Sequence, residues 1–202
     1  MRLSGIAAGL AALITLSACA TGPQPGDPCY HDRDALLALD FDRFDRNLEG
    51  GWRDLGDDPQ CYGVAADSIE TYRISTATTS AQTQSLVHHE AQMRAADGQS
   101  RSAIGLIETL LPLRADNPEM QAYHEAEIAF LRRDRSALLA ARARLLSVPP
   151  PEGFEEAVAD FLSRYPGQPP PAWPVNLDVV DGFIACFDRP YAEAYGAPEC
   201  RS

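Results

Sequence analysis

His89-Glu90 and His124-Glu125 set an imidazole beside a carboxylate at two positions 35 residues apart. On a helix, the pattern H-E-x-x-H binds zinc by bringing two imidazoles onto one face, with the glutamate as base. Met93 and Ile128 stand where the second histidine of each copy would be, so neither pair completes that site. Two readings stay open for His89, Glu90, His124 and Glu125: polar positions of a recurring helix, or contacts to a ligand or partner in a shared groove. Asp45-Arg46-Asn47-Leu48-Glu49-Gly50 matches the first half of a calcium loop, but Gly56 occupies the place of the bidentate glutamate that closes such a site. No metal is expected from either motif. Trp52-Arg53 is a candidate contact, since Trp and Arg supply buried area and directional donors; a Trp tucked back as a cap on the core is the alternative. Asp40, Asp42 and Asp45 alternate with Arg43 and Arg46 as on a solvated helix face rather than as paired catalytic carboxylates.

Other chemistries are excluded by what the chain lacks. All 17 basic residues are arginine, so a P-loop lysine, a Schiff-base lysine and a lysine base are impossible. There is no G-x-S-x-G nucleophile turn. A formal net charge of −12 argues against nucleic acid and against adhesion to anionic headgroups, both of which require excess positive charge. No catalytic residue and no cofactor is expected.

Met1 and Arg2 precede an apolar run from Leu3 to Leu16, shorter than the roughly 20 residues that span a bilayer. That pattern is a signal peptide. The four residues ending it, Leu16-Ser17-Ala18-Cys19, resemble the lipobox of bacterial lipoproteins. The resemblance implies cleavage before Cys19, a lipid on that cysteine, and tethering in the cell envelope; Ala20 after it points to the periplasmic face of the outer membrane. Residues 1–18 are then signal, 19–28 a Gly/Pro tether, and 29–202 a single domain. The remaining cysteines, Cys29, Cys61, Cys186 and Cys200, are even in number, as expected in an oxidising compartment. Of three possible pairings, Cys29 with Cys61 and Cys186 with Cys200 each close a local segment. No C-x-x-C or C-x-x-H spacing favours a metal instead.

The elements that carry these residues are helical. Leu37, Phe41, Phe44 and Leu48 fall on one stripe, ended by Gly50 and Gly51. A second helix is predicted over 64–74, with a Ser/Thr/Gln-rich loop or frayed helix start after it. No period-2 strand is found, and the fold class is all-α.

Between 86 and 151 the chain repeats itself. His89-Glu90-Ala91 recurs as His124-Glu125-Ala126, Arg101-Ser102-Ala103 as Arg135-Ser136-Ala137, and Leu110-Leu111 as Leu145-Leu146, at offsets of 34 or 35. Each copy reads as helix, polar turn, helix and proline. This resembles the tetratricopeptide repeat and implies antiparallel hairpins, with Ala91 and Ala126 as small crossing residues of the first helices and Ala103 and Leu138 of the second. Phe154, Val158, Phe161 and Tyr165 suggest a divergent third unit. Beyond it, Pro169-Pro170-Pro171 forms a stiff link, and Val179, Val180, Phe183 and Ile184 a capping helix. The resemblance implies a non-catalytic stack whose concave face holds a protein partner; a pocket for a small ligand around Trp52, Arg53, His89 and Glu90 is the alternative.

Overall fold

The computed structural model describes residues 25–164, 166–167 and 169–201. The expected signal peptide, Cys19 and most of the expected tether lie outside the described residues. Among those described, every regular element is helical and none is a strand. None of their helices is long and apolar enough to cross a membrane.

Among the described residues, ten α-helices follow in order: α1 (Arg33–Leu37), α2 (Arg53–Gly56), α3 (Tyr62–Ser75), α4 (Ser80–Ala96), α5 (Ser100–Leu110), α6 (Pro118–Leu131), α7 (Arg135–Ser147), α8 (Phe154–Arg164), α9 (Leu177–Ala185) and α10 (Tyr191–Gly196). Three of the long ones, α4, α6 and α7, begin where side chains replace missing backbone acceptors. Thr79 and Gln82 form a reciprocal capping box on α4. Asn117, followed by Pro118, caps α6, and Asp134 caps α7 through the Ala137 amide. The turns inside the two repeat copies are built alike. Gly98 and Arg133 both take left-handed backbone, and the amides after them, Gln99 and Asp134, reach back to the carbonyls of Arg94 and Ala129. Arginine is strained there, by about 1 kcal/mol. The Arg133 guanidinium offsets this by donating to the carbonyls of Phe187 and Arg189 and lying 4.9 Å over the Phe130 ring.

Consecutive helices pack as antiparallel hairpins, α3 on α4, α4 on α5 and α6 on α7. Ala91, Ala103, Ala126 and Leu138 are completely buried, which allows close approach of the helices. α9 lies on α6 and α7, and α10 turns back to touch α4. Two apolar clusters result: a large one from α4 to α7 with α9 and α10, and an N-terminal one in which Phe44 stacks on Tyr72 at 3.8 Å. Both expected disulfides are formed, Cys29–Cys61 and Cys186–Cys200, one at each end of the stack.

Two local expectations are corrected. The stripe from Leu37 to Leu48 is not one helix: α1 stops at Leu37, a π-helical turn covers Asp42–Arg46, and Leu48 is 78% exposed. The Asp40 carboxylate accepts the Arg43 amide and starts a new turn, a side-chain bond that competes with helix continuation. The helix expected over about 64–74 is present and runs from Tyr62 to Ser75. The third unit does not stack as a hairpin, because α8 buries none of its residues and α9 packs on α7 instead. The proline-rich segment after α8 is strapped down where Trp173 Nε1 donates to the Val148 carbonyl and the Val175 amide to Glu119.

Candidate functional site

Helix α4 carries His88, His89, Glu90, Gln92 and Met93, and rotation by about 100° per residue sends them to different neighbours. His89 points toward the N-terminal segment. Its Nδ1–H donates to Asp45 at 2.7 Å, and Trp52 Nε1 donates to the same oxygen at 3.0 Å. Asp45 is 2% exposed. Burial alone would push its carboxyl up, but the bond and charge of His89, with Trp52 and Arg53, hold it below the ordinary value. The reading of a solvated acidic face therefore stands for Asp40 and Asp42 and fails for Asp45, whose carboxylate is committed to His89 and Trp52. Arg53 donates to the Asp45 carbonyl and lies 4.3 Å over the Trp52 ring.

A cleft of about 440 Å³ opens between these residues and α10. Trp52, Arg53, His89 and Gln92 line it from one side, Tyr191 and Tyr195 from the other. Gly56 makes room for it. A Cβ there would stand 2.9 Å from Trp52 Cζ3 and 3.2 Å from Met93 Sδ. Gln92 Nε2 bonds the Tyr195 hydroxyl at 3.3 Å and reaches the Tyr123 hydroxyl at 3.5 Å, joining the cleft to the core.

Glu90 is not part of this cleft. It is buried against α3, paired with Arg73 at 2.8 Å, and burial raises its carboxyl although Arg73 opposes the rise. Of Trp52, Arg53, His89 and Glu90, the structure brings the first three together. Nor do the two His-Glu pairs share a groove. Glu125 pairs with Arg144 of α7 at a separate cleft, and His124 is wholly buried. The pairs diverge because α6 is the central helix, with ten of its 14 residues buried, while α4 has one flank left open by α2 and α10.

Behind the cleft wall lies a polar cluster that the sequence reading missed. Glu127, fully buried, accepts from His88 Nε2 at 2.8 Å and from the Tyr191 hydroxyl at 2.7 Å. Burial would raise its carboxyl; the charge and bond of His88 turn the balance and lower it. The His124 ring lies tilted against that of His88, centroids 4.7 Å apart and planes inclined by 60°, and neither of its nitrogens has a hydrogen-bond partner. Burial first, then the neighbouring His88 charge, lower its pKa to about 4 against the pull of Glu127. The available signal was His124-x-x-Glu127, two ligand-type side chains one turn apart on α6. His88, 36 residues earlier, joins them only through packing. No protein-family model, curated protein or solved structure matches this chain.

Proposed function

We propose that the chain is a lipid-anchored, non-catalytic protein-interaction module of tetratricopeptide-like hairpins. In this reading Cys19 tethers it to the periplasmic face of the outer membrane, in envelope assembly or maintenance, and the cleft between α2, α4 and α10 holds a segment of a partner polypeptide. The observation that carries the reading is the composition of the cleft. Trp52, Tyr62, Tyr191, Tyr195, Met93 and Arg53 line it. Trp, Tyr, Met and Arg are enriched where proteins bind one another, because each joins a large apolar body to a polar or polarisable end. Gln92, Asp57 and His89 add groups able to bond an extended backbone. A second reading has its own support: about 440 Å³ is within the range of about 300–1,000 Å³ typical of small-molecule sites, which favours a small-ligand binder or enzyme using Trp52, Arg53 and His89.

The test places a photo-crosslinking residue in living cells at Ala192 or Gly196 in the cleft, and at exposed Arg101 as control. A discrete protein adduct from the cleft positions alone, lost in Arg53→Ala, is expected. The same adducts from Arg101, or none from the cleft, would overturn the interaction reading. The anchor is tested separately: Cys19→Ser should release the protein from the membrane fraction.

A further inference from the structure

We infer that His88, His124 and Glu127 form a binding site for a divalent transition-metal ion of the zinc class, bridging α4 and α6. One ligand atom from each of these side chains lies within 4.8 Å of the others. His88 Nε2 and Glu127 Oε2 already face each other at 2.8 Å. Bonds of about 2.0–2.1 Å to zinc place tetrahedral ligand atoms about 3.3 Å apart, so the third nitrogen has at most about 1.5 Å to travel, a side-chain adjustment.

The independent sign of a ligand is His124. It is completely buried, yet neither ring nitrogen has a hydrogen-bond partner. A buried polar atom without a partner is rare and costly, and an ion is one of the few things that satisfies it. The ion replaces the hydrogen between His88 and Glu127, and the His88 ring then carries its proton on Nδ1. Two imidazoles and one carboxylate suit zinc and its neighbours. Magnesium and calcium prefer sets made only of oxygen.

The surroundings complete the site. The Tyr191 hydroxyl holds the other Glu127 oxygen at 2.7 Å, the outer-shell bond that orients a metal-binding carboxylate. Tyr191 also lines the cleft, so a bound ion would stiffen the cleft wall. Only the His88 side chain has any exposure, 14%, which fits an ion that fastens helices rather than one that turns over substrate.

The experiment uses tag-free purified protein stripped with EDTA and titrated with Co²⁺, then Zn²⁺. One Co²⁺ per chain is expected, with the visible absorption of a four- or five-coordinate ion, displaced by Zn²⁺. Affinity should fall at least about 100-fold in His124→Phe and in Glu127→Gln, and about 10-fold in Tyr191→Phe. His124→Phe keeps an aromatic ring, somewhat larger than the imidazole, and removes the unpaired nitrogens; folding is checked by circular dichroism, and the folded variant should lose the ion. Absence of a stoichiometric Co²⁺ band, or its persistence in either folded ligand variant, would overturn the assignment.

Discussion

Replacing His124 by Phe should change how stability depends on pH, by an amount that follows from where the ring sits. In the folded chain the imidazole is held neutral down to about pH 4; its ordinary value is 6.5. Between those values the unfolded chain binds a proton that the folded chain refuses, so stability falls as pH falls through that interval. Each pH unit is worth about 1.4 kcal/mol, which makes the full effect about 3 kcal/mol. The shifted carboxylates Asp45, Glu90, Glu119 and Asp134 owe nothing to His124 and cancel on comparison, while Glu127, held down in part by the His124 charge, is held less low in the variant. Urea unfolding followed by circular dichroism, with chelator present, at intervals from pH 8 to pH 4 measures the difference. Wild type should lose about 3 kcal/mol more than His124→Phe between pH 7 and pH 4. At neutral pH the variant gains by losing polar atoms whose burial costs about 1–3 kcal/mol and loses about as much by fitting a larger ring into a closed core, so the comparison rests on the pH dependence and not on the absolute stability. Parallel stability curves for the two proteins would refute the argument that His124 is buried neutral.

Removing the Cys29–Cys61 disulfide, which closes 32 residues of chain, should cost about 4 kcal/mol, and removing Cys186–Cys200, which closes 14, about 3 kcal/mol, read from denaturant midpoints of the paired serine variants. Gly56→Ala forces a methyl against Trp52 and Met93 and should cost about 1–3 kcal/mol. In a Trp173→Phe background the emission of Trp52 should shift to longer wavelength, and an unchanged spectrum would contradict the packing. Gly98→Ala meets no neighbour within 4 Å but must adopt left-handed backbone, so a loss of about 1 kcal/mol in urea unfolding is expected from conformation alone.

Much of the architecture was legible in the residues because it depends on near neighbours. Helical periodicity and the polar turns at Gly98 and Arg133, which recur in the two copies, act within a few positions of one another. The disulfide pairing followed from closing short segments. Where local signals competed, the reading failed. The apolar spacing from Leu37 to Leu48 suggested one helix, while Asp40 had a side-chain bond available to interrupt it.

The sequence by itself determined an all-helical chain with two hairpins of similar design, cystine-closed ends and no lysine chemistry. Only the tertiary structure decided what its polar residues do. An offset of 35 residues puts His89 and His124 at matching points on their own helices, but the surroundings are supplied by distant segments. Asp45 reaches His89 across 44 positions, Tyr191 reaches Glu127 across 64, and Tyr195 reaches Gln92 across 103. A repeat fixes which way a side chain points from its helix. Whether that direction ends in solvent, in a cleft or in the core depends on which other helix covers it, and here α10 and the turn before α2 made one histidine a wall of the cleft while α4 helped enclose the other.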